Sequence, residues 1–247
     1  MITTEPREHR AAIRTLRRER GQRYAITSAV VWEGDSPVDG APIVAVVTNL
    51  DLPSENRKTG DMAQLYILRA DMRPIESVTT GADSATCGNC PLRPSQTDGV
   101  ACYVNTGWLG TLWASIPKLP RRTPAEVGDY LRNVGLELRE GSYGDPAMIP
   151  FDVRDAINPK RGTSYTHQWR ESWADSRGAR FSMASVQTVE EKRAANAAGY
   201  RTYRVTSGDL EPDEILCPEI TRNANCKTCG LCAGNRVKAK NIVIRPI

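Results

Sequence analysis

Seven cysteines fall in two groups: Cys87, Cys90 and Cys102, then Cys217, Cys226, Cys229 and Cys232. The later group has the spacing C-x8-C-x2-C-x2-C, and thiolates two residues apart in a tight turn reach one metal centre together. Such a quartet completes a tetrahedral zinc site or ligates all the irons of a 4Fe-4S cube. Gly230 and Gly234 let the backbone fold around a centre of this kind, and the Lys, Thr, Gly and Asn between the thiols offer no apolar face of the sort that buries core cysteines. The earlier group, at C-x2-C-x11-C in a loop with Pro and Gly, is a partial set. Either a fourth ligand comes from elsewhere, with His167 the candidate, or one position stays open for water, substrate or a cofactor. A saturated quartet suits structure, electron transfer or substrate anchoring. The triad suits chemistry.

The elements that would carry these groups alternate between helix and strand. Thr123-Pro124-Ala125-Glu126 reads as a capping box with Pro at the first helical position, opening a helix that Gly135 closes. Residues 136–139 (LELR) form a strand that leads into the turn Gly141-Ser142-Tyr143-Gly144-Asp145-Pro146. A short helix follows over 149–157, then strands over 164–169 and 180–186. Thr188 and Glu191 make a second capping box, over a helix that Gly199 ends, with further strands at 200–205, 215–216 and 242–245. Alternation of this kind is the mark of βα units around a parallel sheet, and parallel sheets gather function where strands finish. The GSYGDP turn, His167 and Gln168, Ser185 to Gln187, and Cys217 all fall at strand ends. The expected architecture is α/β, a full or partial (β/α) barrel preceded by a small β-rich segment and followed by the cysteine-rich segment, with an open doubly wound sheet as the second choice.

Ahead of this lies a basic helix over residues 5–20, marked by Ile13 and Leu16, and β-branched runs at 24–32, 43–48 and 65–69 that suggest a small antiparallel sheet. Residues 1–80 are expected to form this N-terminal helix and sheet, and residues 81–247 the barrel-like metal or iron-sulfur domain. The chain has 247 residues with a formal charge of +4, a mild excess that permits nucleic-acid contact without demanding it. Clustered C-x2-C spacing and the lack of a hydrophobic leader point to a reducing cytoplasm, and no stretch approaches the ~18 apolar residues of a membrane span.

A three-cysteine loop, a strand ending in a Gly-rich acidic turn, further βα units and a four-cysteine segment resemble the layout of radical S-adenosylmethionine enzymes with an auxiliary cluster. That family's loop is C-x3-C-x2-C, so the order of parts carries the resemblance rather than the spacing. Residues 87–247 also resemble uncharacterised cysteine-rich proteins of bacteriophages, which would place the chain in the host cytoplasm. The first resemblance implies an open cluster on Cys87, Cys90 and Cys102, a fully ligated one on the quartet, and S-adenosylmethionine held near Gly141, Gly144, Asp145 and Ser185. Asp145, His167 and Gln168 would then stand near the reaction, on a nucleic acid or a nucleotide. A second reading resembles tRNA-guanine transglycosylases, with structural zinc and Asp145 or Asp152 as nucleophile. A third is a zinc-stabilised nucleic-acid-binding protein without catalysis. Taken singly, Asp145 before Pro146 also reads as a helix cap, and Trp108 and Trp113 as core packing rather than a platform for bases.

Overall fold

The computed structural model describes residues 15, 27–51, 54, 56–97, 102, 104, 106–159, 161–222 and 224–246. The basic helix expected over 5–20 lies outside the described residues but for Thr15. Strands β1 (Ala29–Asp35), β2 (Pro42–Thr48) and β3 (Ala63–Arg69) form an antiparallel meander, as their β-branched runs require. After β3 the chain makes two short helices, α1 (Pro74–Thr80) and α2 (Ser84–Cys87), which the sequence pattern did not reveal. Next come the triad loop, α3 (Leu109–Ser115) and α4 (Pro124–Val134). Both reciprocal bonds of the Thr123–Glu126 capping box form at α4, and Gly135 ends it in the left-handed conformation.

Strand β4 (Leu138–Tyr143) then pairs in parallel with β3. It runs through Gly141, Ser142 and Tyr143, which the sequence reading assigned to the turn. The reason is a bulge: Gln64 pairs with Arg139 and Tyr66 with Tyr143, so β4 carries extra residues, and Gly141 absorbs them at φ 68°. The true turn begins at Gly144. Helix α5 (Phe151–Ile157) leads to β5 (Gly162–Thr163), which pairs with β4, and to β6 (Tyr165–Thr166), which pairs with β7 (Met183–Val186). Ser164 alone separates β5 from β6, so one stretch of chain serves two sheets. Helix α6 (Val189–Ala197), opened by the second capping box, precedes β8 (Thr202–Val205). Strand β9 (Glu214–Leu216) lies at the edge, and β10 (Asn241–Ile244) inserts between it and β8.

The sheets are therefore ordered β1-β2-β3-β4-β5 and β6-β7-β8-β10-β9, the second wholly parallel. The division expected at residue 80 runs through the first sheet, since β3 and β4 pair across it. Side chains alternate between two faces. On one, Leu65, Ile67 and Leu138 pack on α4 and α5, and Ala184 and Val186 are grouped with Ala195 of α6. On the other, Tyr66 and Tyr143 meet Cys87, and Tyr165 and Tyr203 meet Cys217 and Cys232. Helices α4, α5 and α6 thus cover one face, and both cysteine groups lie on the other, where α3 packs against Tyr66 and Tyr143 through Leu109 and Leu112. At the seam, the buried Arg154 guanidinium donates to Glu140 (2.7 and 3.3 Å) and to Ser182 Oγ (2.7 Å), while Asn158 Nδ2 donates to Glu140 (2.7 Å). Among the described residues no helix is long and apolar enough to cross a membrane.

Candidate metal centres

The triad loop is fastened at the carboxyl ends of β3, β4 and β6. Arg93 is the fastener from within: it donates to Asp83 (2.7 Å) and to the carbonyls of Gly81 (2.6 Å) and Gly88 (3.0 Å). Gln168, fully buried just past β6, fastens it from outside. Its Nε2 donates to the Cys87 carbonyl (3.0 Å), and its Oε1 accepts from the Asn89 N–H (3.1 Å). Gly88 makes this approach feasible, because a Cβ there would stand 2.3 Å from Gln168 Oε1. Burial pushes the Cys87 thiol far up, helped by Asp83 and the two neighbouring cysteines, and lifts Cys90 to about 12 with Asp145 and Cys102 beside it.

Asp145 is engaged on both oxygens. Oδ1 accepts from Thr166 Oγ1 (2.7 Å) and the Ala147 N–H (3.0 Å), and Oδ2 accepts from the His167 N–H (2.8 Å) and, more weakly, Gln168 Nε2 (3.4 Å). Its own N–H donates to the Thr86 carbonyl (2.7 Å), joining the turn to α2. The carboxylate is a knot between strand ends, capping the short 3-10 turn after it, and its lone pairs are spent. His167 joins the knot through its backbone. Its imidazole is surrounded by Asp145, Glu191 and Arg170 rather than by thiols, and burial holds it below the usual histidine range, hence neutral at pH 7. The room that Gly144 leaves is filled by Ile67 and the Thr86 carbonyl, and that of Gly141 by the Gly144 carbonyl and Pro146, so these glycines serve close chain packing. Ser185 stands apart on β7, its carbonyl accepting from Trp169 Nε1 (3.2 Å). Asp152 lies on the exposed side of α5, 84 % exposed and paired with Arg177 (3.1 Å).

The quartet is built locally. Asn225 caps the single turn α7 (Cys226–Cys229), accepting from the Thr228 N–H (2.9 Å), and Gly230 ends it at φ 66°. The Cys226 N–H donates to the Lys58 carbonyl (2.9 Å) and the Lys227 N–H to that of Thr59 (3.1 Å), docking the turn on the chain that enters β3. Cys217, Cys226, Cys229 and Cys232 all line one cavity of about 20 Å³, together with Thr163 and Tyr165. Thr163 Oγ1, buried on that wall, has no hydrogen-bond partner among the described residues. Burial pushes up the Cys217, Cys226 and Cys232 thiols, Cys232 to about 12, and the members of the set add to one another's shift.

The two sets have different surroundings: Cys87 packs with Tyr66 and Tyr143, whereas Cys217 and Cys232 pack with Tyr165 and Tyr203. Among the described residues, no group of three or more His, Cys, Asp or Glu side chains is drawn together tightly enough to hold an ion as it stands. The donor chemistry nonetheless fits: thiols gathered in one cavity, with an orphaned hydroxyl on its wall, are what a thiophilic metal or cluster satisfies. Sequence reasoning missed Gly88, Arg93, Asp83 and Thr163; a glycine between two C-x2-C thiols was the available signal for the first. No protein-family model, curated protein or solved structure matches the chain.

Proposed function

We propose that the chain is an iron-sulfur enzyme with an open centre on Cys87, Cys90 and Cys102 and a saturated one on Cys217, Cys226, Cys229 and Cys232. The observation that carries this reading is the position of the triad loop: Cys87 lies at the carboxyl ends of β3, β4 and β6, on the face opposite α4 and α5, with Gln168 and the Asp145 turn fastened to the backbone beside it. Strand order supports a partial barrel. From β3 to β8, counting β5 and β6 as one, parallel strands lie side by side in chain order. Right-handed crossovers that step one way put their helices on one face, as α4, α5 and α6 are. In the quartet, Cys226, Cys229 and Cys232 with the separate Cys217-Pro218 have the elements of the C-x2-C-x2-C and Cys-Pro run that holds four-iron clusters.

When bound, an open three-cysteine cluster supplies one-electron chemistry at the iron that no cysteine ligates, with S-adenosylmethionine the expected partner there. The chain's own part is to hold that loop rigid through Gln168, Asp145 and Arg93. A nucleic acid or nucleotide is the proposed substrate, and Trp108 supports it: 44 % exposed, it stands edge-on to Tyr66 at 4.9 Å beside the triad. The geometry speaks against a transglycosylase, because the Asp145 oxygens are occupied and Asp152 points away.

Anaerobic purification with iron and sulfide assays tests the reading. Two clusters are expected, with Cys90→Ala removing one and Cys229→Ala the other. A colourless protein with stoichiometric zinc and no sulfide overturns it. Zinc in the quartet is the second reading, favoured by a cavity with room for about one water-sized guest.

A further inference from the structure

Three thiols of the quartet are placed by regular elements. Cys226 and Cys229 belong to the turn α7, and Cys217 directly follows β9, its N–H donating to the Val243 carbonyl of β10 (2.8 Å). Cys232 has no such element, lying between α7 and the short 3-10 turn Gly234–Arg236. What holds its loop is Arg201, the residue before β8. Nη1 donates to the carbonyls of Leu231 (2.7 Å) and Gly234 (3.1 Å), Nε to that of Ala239 (3.0 Å) and Nη2 to that of Lys240 (2.5 Å). Two of these carbonyls flank Cys232, and two lie where the loop enters β10. The Cys232 carbonyl itself accepts from the Ser164 N–H (3.3 Å), and Gly234 passes so close to Phe181 that a Cβ would stand 2.6 Å from its carbonyl carbon. Among the described residues no carboxylate pairs with Arg201. Its charge is thus uncompensated by the protein, beside a site where four bound thiolates outnumber the charge of a divalent ion.

We propose that Arg201 is the positioning residue of the quartet centre: by gripping the carbonyls on either side of Cys232, it holds that thiol at the cavity as the fourth ligand. This rests on the quartet's being a metal centre, whether iron-sulfur or zinc. Arg201 acts through the backbone and is not itself a ligand. Lysine cannot replace it, because an ammonium is a single point of charge without the rigid fork that spans Leu231 to Lys240. A site that loses its hold on one of four thiolates keeps the metal on the other three, while the fourth position opens to solvent.

The test is the protection of each cysteine by zinc ions, read by alkylation and mass spectrometry on the full chain of the wild type, Arg201→Lys and Lys240→Ala. Reduced protein is stripped with chelator, and alkylation rates are compared with and without reloaded zinc. In the wild type, zinc should slow all four cysteines together. In Arg201→Lys it should slow Cys217, Cys226 and Cys229 as before, while Cys232 loses about tenfold of its protection, the scale on which supporting residues act at metal sites. Lys240→Ala removes the bond from Nζ to the Pro212 carbonyl (2.8 Å) in the same loop but leaves all four carbonyls to Arg201, so its Cys232 should stay protected. Full protection of Cys232 in Arg201→Lys overturns the inference, as does the same exposure in Lys240→Ala. An equal loss at all four cysteines overturns it too, since Arg201 would then support the fold at large. If neither zinc nor iron with sulfide protects any of the four in the wild type, the quartet reading fails and the inference falls with it.

Discussion

The two cysteine groups differ in what sets the shape of their backbone. The quartet's turn is shaped within its own short stretch, by Asn225 and Gly230, and is then docked as a piece on the Lys58 and Thr59 carbonyls. The triad loop takes its shape from residues far along the chain: Gln168 reaches the Cys87 carbonyl across 81 positions, and the Asp145 turn binds the end of α2. A local cradle depends on its guest for rigidity, whereas a cradle braced from several strand ends is rigid beforehand. Rigidity before binding is what an open, reactive position requires.

The largest effect should come from breaking this contrast at the quartet. Binding at four thiolates contributes on the order of 10 kcal/mol to folding in small metal domains. Cys226→Ser should therefore loosen the whole turn from its dock on Lys58 and Thr59, lowering the thermal midpoint of loaded protein by about 10 °C or more. Cys87→Ala should cost far less, since Gln168 bonds the backbone carbonyl there and not the thiol. Calorimetry on the loaded proteins compares the two directly. Equal losses would mean that the triad, too, depends on its guest.

Between the two regions lies the seam at Ser164, where Glu140, Arg154, Asn158 and Ser182 meet. Burial pushes the Glu140 carboxyl up, but Arg154, Ser164 and Asn158 outweigh it and hold the carboxyl below its ordinary range. A depressed carboxyl contributes stability that is present above the unfolded value near 4.5 and is lost as pH falls through the folded one. Glu140→Gln leaves Arg154 buried without its counter-charge, at a cost of about 3–5 kcal/mol at pH 7. The gap between variant and wild type should close on acidification below pH 4.5, as followed by urea unfolding. A gap that stays constant would show that the pair does not tie the halves together by charge.

How much of this the sequence discloses follows the same division. Capping boxes at Thr123 and Thr188 are local, and both form as their spacing implies. The quartet's spacing led to the expectation of one shared centre, and its four cysteines line one cavity. Gly141 misled because a glycine with positive φ serves a turn and a bulge alike, and only the pairing of β4 with β3 decides between them. The engagement of Asp145 by Thr166 and the His167 N–H was hidden, because those partners are brought in by a strand pairing that no local pattern encodes. Insertion of β10 between β8 and β9 is likewise a fact of topology alone.

Gly88 is where local sequence and distant brace meet, and it gives the finest test of the contrast. It sits at φ 55° and ψ −134°, a region open to glycine and strained for any other residue. Alanine there would also press on the Gln168 side chain, whose Oε1 is 2.3 Å from the added carbon. Backbone strain and overpacking together should cost about 2 kcal/mol, less than the loss of Glu140. The informative consequence is local. With Gln168 displaced, the Asn89 N–H and the Cys87 carbonyl lose their partner, so the triad should lose iron or hold it with a higher dissociation rate while the quartet keeps its own. Adding Gln168→Ala makes room for the new methyl without restoring the bonds. If the brace is what matters, the double variant should recover stability but not iron retention. Recovery of both would show that Gly88 is there for packing, and that the triad loop holds its shape without Gln168.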